Sequence, residues 1–443
     1  MALVLLPRYL TCGFTTLPEY LESRFDVRVR RATAVLFLLG YGLITIPSVL
    51  YSGSLAVLQL FDVPALLGMP RDQALALTLW AIGLIGAAYA IFGGLKAVAV
   101  SDTLNGVGLL IVGILVPVLG LVRLGDGSLT AGLTRLTTEH TEKLNAIGTT
   151  GDPTPFGTLF TGMIFANLFY WGTNQYVIQR TLGAASLAEG QKGVLMSGFF
   201  KIAVPFLMMI PGVIAFHLYG PDLTSMDDAY PRLAADVLPN WLSGFFLAVL
   251  LGAVLSSFNS LLNSASTLFA VDLVAPYRPG TSDAALIRTA RVFGTALALF
   301  SFLVAPMLQY APEGVWQLIR KFTGFYNIPI IAIVVMAVAT SRTRHRVPAA
   351  GALTAIGFHL LAYGILTFAW DSGVHFIHLY AVLFAIEVLI MAGFAWWAGE
   401  PALIPPEAKR IDTTPWRWAY PVAGLLLTAM VAVYLLFSPL GLA

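Results

Sequence analysis

Apolar runs recur along the chain at 32–61, 73–95, 103–122, 156–179, 193–218, 241–272, 287–310, 314–340, 347–369, 375–397 and 416–438, with short polar stretches between them. Wound as α-helix, a run of about 20 residues matches the hydrocarbon thickness of a bilayer, so the pattern predicts about eleven membrane helices. The roughly ten-residue alternation of a membrane β-barrel is missing. The run at 156–179 departs from the others. Between 165 and 180 it carries Asn167, Thr173, Asn174, Gln175 and Gln179 together with Tyr170 and Tyr176. Hydrocarbon offers these groups no hydrogen-bond partner, so they must face protein or water. Gly172 lies in their midst, where a helix can loosen and free backbone groups for a ligand. Helix-to-helix hydrogen bonding accounts for any one of these residues; the cluster as a whole points to a solute pathway.

Composition sharpens the class. Of 443 residues, 58% are hydrophobic and 11% charged, which excludes an ordinary soluble domain. The fold class expected is an all-α polytopic membrane protein, a single transmembrane domain over 1–443. A net charge of +2 with basic residues dispersed in loops excludes a nucleic-acid surface, and the single Cys12 excludes an intrachain disulfide and a cysteine metal site. The segment 15–31, with Arg24, Arg28, Arg30 and Arg31, belongs in the cytoplasm by the positive-inside rule. Alternating sides from there places Lys96, Arg180, Arg278, Arg288, Arg342, Arg344, Arg346, Lys409 and Arg410 on the same face of a cell membrane and the C-terminus outside. The outer loops 123–155 and 219–240 are too small to be separate domains. The apolar start, 1–7, reads as the tail of a membrane helix whose beginning lies before Met1.

Several residues inside these runs carry candidate chemistry. Lys201 sits about two turns into 193–218, where an ammonium must be paired, solvated or snorkelled; its three hydrogens suit sugar hydroxyls or a carboxylate. Ala253, Ser256, Ser257, Ser260, Ser264 and Thr267 follow helical steps of three and four and share a face. Such a stripe serves either close helix contact or, through its hydroxyls and a carbonyl, a hard cation. Asp102 is expected to cap a helix after the Gly93–Lys96 connection, with Lys96 as a partner, and Asp272 to pair with Arg278; an ion exit is the other reading of both. Gln317, Arg320 and Lys321 precede Thr323-Gly324 and Pro329, which predicts a broken helix with a basic start. His375, His378 and Glu387 share no metal geometry and read as interfacial or packing residues.

The segments Thr16-Leu-Pro-Glu-Tyr-Leu-Glu-Ser-Arg24, Gly93-Gly-Leu-Lys-Ala-Val, Asn174-Gln-Tyr-Val-Ile-Gln-Arg180, Pro211-Gly and Ser256-Ser-Phe-Asn-Ser-Leu-Leu-Asn-Ser-Ala-Ser-Thr267 resemble, in order, the sodium:solute symporter family, and within it the bacterial sodium/galactose symporters. The resemblance implies a LeuT-like fold of inverted five-helix repeats, alternating access across the bilayer, and sodium as coupling ion. It also implies that Asn167 and Lys201 hydrogen-bond a sugar and that Tyr170 covers its ring. Ala253 would give a carbonyl, and Ser256 and Ser257 their hydroxyls, to sodium. Where the galactose symporters have a sugar-contacting glutamine, this chain has Arg320, whose fork suits an acidic sugar or another carboxylate. The family begins with about three further helices than this chain shows. The function implied is sodium-coupled import of a small polar solute, a hexose such as galactose or glucose, with no enzymatic step. The alternatives are a symporter for an organic acid or acidic sugar, and a non-transporting sensor or scaffold on the same fold.

Overall fold

The computed structural model describes residues 1–149, 151–152, 154–223, 229–310, 315–340, 345–370, 372–398 and 411–443, without the side chains of 59, 91–99 and 221. The expected roles of Lys96, Arg342, Arg344, Lys409 and Arg410 fall on residues or side chains outside that set. The helices, in chain order, are α1 (Leu5–Cys12), α2 (Leu17–Glu22), α3 (Val27–Gly40), α4 (Ile46–Leu60), α5 (Val63–Leu67), α6 (Arg71–Leu124), α7 (Leu129–Thr138), α8 (Gly162–Gly172) and α9 (Gln175–Leu182). They continue with α10 (Leu187–Val204), α11 (Ile210–Tyr219), α12 (Ala229–Val237), α13 (Asn240–Thr267), α14 (Asp283–Val304), α15 (Val315–Ala339), α16 (Ala349–Gly364), α17 (Phe376–Ala398) and α18 (Ala419–Leu436). Among the described residues the only extended pairing is a single parallel bridge between Ser186 and Asp412.

Among those residues, ten helices are long and apolar enough to cross a membrane. They coincide with ten of the eleven predicted runs. The exception is 156–179, which is split into short pieces. The runs at 73–95 and 103–122 both lie in α6, a continuous helix of 54 residues. At 1.5 Å per residue this is about 80 Å, more than twice the length one crossing needs. Asp102 is therefore inside a helix, and the capping role expected of it is not what the structure shows.

Local sequence explains the ends. Thr16 caps α2 by accepting from the Glu19 amide at 3.3 Å, with Pro18 in the first turn. Asp26 caps α3, accepting from the amides of Arg28 at 2.8 Å and Val29 at 3.2 Å and from the Arg28 guanidinium at 2.8 Å. Burial pushes the Asp26 carboxyl up, but these donors outweigh it and hold the group below its ordinary value. Wide, π-helical turns interrupt helices at Tyr41–Thr45 and Pro205–Met209 and end them at Leu268–Val274 and Ile365–Ala369. Such turns often mark functional places in a helix.

The interior is aromatic where the split helix meets α3 and α15. The ring of Phe37 lies 6.0 Å from Phe169 and 6.1 Å from Tyr326, and Phe169 lies 5.5 Å from Tyr326. All three side chains are buried. α8 comes very close to α17, because a Cβ at Gly162 would stand 1.7 Å from the Ile377 carbonyl oxygen. Only glycine fits there. Phe165 stacks on Phe384 at 3.9 Å along the same contact.

Candidate functional site: an opened helix beside a serine-lined helix

α8 ends at Gly172 and α9 begins at Gln175, so the chain leaves the helix at Thr173 and Asn174. Several of the freed backbone groups have partners, as a membrane interior requires. The Gly172 carbonyl accepts from the Tyr9 hydroxyl at 3.0 Å. The amides of Thr173 and Asn174 both donate to the Phe169 carbonyl, at 2.8 and 2.9 Å. Tyr41, at the start of the first wide turn, donates its hydroxyl to Asn174 Oδ1 at 2.5 Å and accepts from the Tyr176 amide at 3.3 Å. Gln175 accepts from the Leu17 amide at 2.8 Å and donates to the Thr15 carbonyl at 3.3 Å. The break is thus held from three sides, by α1, α2 and the junction of α3 with α4. Tyr41→Phe would leave the buried Asn174 oxygen and the Tyr176 amide without this hydroxyl, a loss of about 1–3 kcal/mol. Hydrogen exchange across 173–176 is expected to accelerate in that variant; unchanged protection would show that Tyr41 does not hold the break.

Asn167 and Tyr170 lie one turn apart on α8, and both are exposed. Asn167 donates to the Met163 carbonyl at 2.9 Å. Tyr170 accepts from the Tyr176 hydroxyl at 2.9 Å, with their rings 6.0 Å apart. Arg320 on α15 reaches the start of α8, donating to Thr154 Oγ1 at 2.7 Å and to Met163 Sδ at 3.8 Å. Its guanidinium forms no ion pair with an acidic group among the described residues, and it lies 5.6 Å from the Phe376 ring. Asn167 and Tyr170 therefore lie on the half of α8 that leads to the break, and Arg320 lies against its first turn. Lys201 stands apart: it is exposed on α10 and has no polar contact among the described residues.

α13 supplies the second half. Its serine stripe faces Asp102 of α6 and the polar end of α9. Ser256 donates its hydroxyl to Asp102 Oδ1, and Arg180 binds the other carboxylate oxygen. Arg180 also donates to Ser260 Oγ at 2.5 Å, and Ser264 donates to Gln179 at 2.6 Å. Ser257 is exposed and has no hydrogen bond among the described residues; Ala253 lies one turn before it, half-buried. Both amide atoms of Asn259 are buried with no partner among the described residues. This gives an oxygen-rich surface with an anionic neighbour. Asp102 and Arg180, which sequence reasoning left in separate roles, join here because α9 turns back against α13 after the break.

Two further expectations fail. Asp272 does not pair with Arg278; its carboxylate accepts from Arg30 Nε at 2.7 Å and from Thr16 Oγ1 at 2.9 Å. The predicted break before Thr323-Gly324 is absent, and α15 runs unbroken through Pro329. Of the interfacial and packing roles expected of Glu387, burial favours the second: it is fully buried and hydrogen-bonded to His359, which the sequence did not single out.

Residues 1–357 match the model of the sodium:solute symporter family. The chain is 42% identical to the uncharacterized symporter YidK of Escherichia coli, over 98% of this chain and 76% of that protein. It is 30% identical to the sodium/glucose cotransporter of Vibrio parahaemolyticus, over 80% of this chain and 67% of that one, so it spans about two thirds to three quarters of these relatives' lengths. The fold matches a solved Na+-coupled sialic acid symporter in a substrate-bound outward-open state, with a TM-score of 0.74 and 21% identity, covering 91% of this chain and 81% of that chain. The expected LeuT-like, all-helical architecture stands.

Proposed function

The chain belongs to the sodium:solute symporter family, and from that premise we propose that it imports a hexose such as galactose or glucose with sodium. It is a membrane transporter, not an enzyme, and sodium is its coupling ion. The observation that carries the solute reading is the opened helix, with Asn167 and Tyr170 exposed beside a break whose own backbone needs are met by Tyr9 and Tyr41. Those two side chains are left available for a sugar's hydroxyls and ring face. Lys201, exposed and without a polar partner among the described residues, is a third proposed contact. Similarity to the Vibrio sodium/glucose cotransporter supports the hexose assignment.

For sodium we propose Ala253, Ser256 and Ser257, and donor chemistry supports that set. A hydroxyl that gives its proton to Asp102, as Ser256 does, keeps oxygen lone pairs for a cation. Ser257 has both of its lone pairs uncommitted, and a helical carbonyl such as that of Ala253 retains a second one. The Asp102 carboxylate makes the surroundings favourable to positive charge. The protein lies in the cell membrane with the Arg24–Arg31 end inside and the C-terminus outside, and alternating access between the two sides would carry the bound pair across.

A second reading, an acidic sugar or another carboxylate, is favoured by one feature: the half-buried Arg320 has no acidic partner among the described residues. A carboxylate would supply the bidentate acceptor that Thr154 does not. The experiment is sodium-dependent uptake into liposomes of galactose and of N-acetylneuraminic acid, by wild type and Arg320→Gln. On the hexose reading galactose enters and R320Q leaves its uptake near wild type. On the carboxylate reading the acid enters and R320Q lowers its uptake about tenfold or more. Sodium-dependent uptake of neither solute would return the chain to the sensor or scaffold alternative.

A further inference from the structure

α15 is gripped by α16 and α17 at the stretch that carries Arg320. The Tyr380 hydroxyl donates to the Arg320 carbonyl at 2.5 Å and the Tyr363 hydroxyl to the Lys321 carbonyl at 2.7 Å. One turn on, His359 Nε2 bonds the Gly324 carbonyl at 3.0 Å. His359 Nδ1 in turn bonds Glu387 Oε1. Both side chains are fully buried, at 0% exposure, within membrane-spanning helices. Glycine permits this approach: a Cβ at residue 324 would stand 2.4 Å from the Tyr363 hydroxyl.

The proton count follows from the acceptors. A carbonyl only accepts, so Nε2 must carry hydrogen. A neutral imidazole with hydrogen on Nε2 presents a lone pair at Nδ1, which a carboxylate oxygen would repel. The Nδ1–Oε1 bond therefore needs a second proton, on the imidazole or on the carboxyl. Either placement leaves the pair with no net charge, as a membrane interior favours. Loss of that proton to water leaves the pair with one negative charge. The imidazole must then either break from Glu387 or switch its hydrogen to Nδ1 and release the Gly324 carbonyl. Glu387 Oε2 has no partner among the described residues, so nothing else there absorbs the charge.

We propose that His359 and Glu387 form a proton-binding site whose occupancy fixes the 320–324 segment of α15 and thereby positions Arg320 against the first turn of α8, the helix that opens at Gly172. They are positioning residues, since neither touches the proposed solute contacts. The titratable and charged groups brought toward the pair are Tyr363 on α16, whose ring stacks on His359 at 5.4 Å, Tyr380 on α17, and Arg320, Lys321 and Tyr326 on α15. α8 adds only Tyr170, and α3 carries Arg28, Arg30 and Arg31 toward its far end.

The transport readout of this proposal rests on the symporter reading; a spectroscopic one does not. Glu387→Gln is the informative variant, because its amide donates to Nδ1 at every pH and imitates the proton-loaded state. In the full chain in liposomes, infrared difference spectra between about pH 6 and about pH 9 are expected to show, in wild type, a titrating carboxyl or imidazole signal with an accompanying amide change. E387Q and His359→Gln should both lack it. Where galactose or N-acetylneuraminic acid is transported, the apparent KM of wild type should rise about tenfold over that range and stay at its acid value in E387Q. A wild-type difference spectrum and pH profile retained in E387Q would overturn the proposal. Should the variants fail to fold, 15N-histidine spectra of wild type decide. At acid pH one of the six histidines should carry hydrogen on Nε2 and a hydrogen bond to a carboxyl at Nδ1, and six histidines without that bond would overturn the idea. Absence of sodium-dependent uptake, with the spectra as expected, would sink the transport reading and leave the proton site standing.

Discussion

Arg30→Ala is expected to destabilise the protein by about 3–5 kcal/mol, the usual consequence of removing one partner from a buried ion pair. Arg30 ties three segments together. Its Nε donates to Asp272 at 2.7 Å, one terminal nitrogen binds Glu22 of α2, and the other donates to the Val271 carbonyl at 3.0 Å. The Asp272 side chain is 0% exposed and that of Arg30 11%, so water cannot replace what alanine removes. Thr16 would remain as the only described donor to a buried carboxylate. Asp272→Asn should cost about half as much, since an amide oxygen still accepts from Thr16 and Arg30 keeps Glu22 and Val271. Thermal unfolding of the detergent-solubilised protein measures both. Equal melting temperatures for R30A and wild type would mean that the contact contributes nothing to stability.

The second large effect concerns the ion. If each hydroxyl contributes about 1.5 kcal/mol to sodium binding, Ser256→Ala with Ser257→Ala removes about 3 kcal/mol, or about a hundredfold in sodium affinity. The single variants separate ion binding from architecture. Ser257 has no hydrogen bond among the described residues, so S257A should weaken sodium dependence while leaving thermal stability unchanged. Ser256 also donates to Asp102, so S256A should lower both. Uptake measured against sodium concentration gives the half-saturation values. Identical sodium curves for the double variant and wild type would remove these serines from the ion site.

Much of the fold was legible because bilayer thickness acts on every helix in the same way: ten apolar runs became ten long helices. The break at Gly172 was legible too, since polar side chains crowded into an apolar run announce that the backbone is satisfied locally. Its partners were not. Tyr9 and Tyr41 lie 163 and 133 positions from the groups they bind, and nothing in a lone tyrosine says which distant carbonyl it will meet. Asp272 was misassigned for the same reason, because sequence proximity favoured Arg278 while packing delivered Arg30 from 242 positions away. The partner of Glu387 was not legible, because His359 lies 28 positions away on the preceding helix. The break predicted in α15 failed where side chains from two neighbouring helices hold its carbonyls instead of an opened backbone. Ser256 and Ser257 were legible as a pair by spacing, but the convergence of Asp102 and Arg180 on that stripe required the turn at 173–174.

The wide turn at Tyr41–Thr45 also has a meaning in terms of ancestry. Such a turn arises when one residue is added to an α-helix, and the added residue is absorbed as a local bulge instead of rotating all that follows by about 100°. Removing it would return the segment to regular α-helix and swing either Tyr41 away from Asn174 or α4 away from its neighbours. Relatives aligned through this helix should therefore carry any one-residue gap inside the membrane, at this bulge, and such a gap would report a change in how the broken helix is held, not an error of alignment.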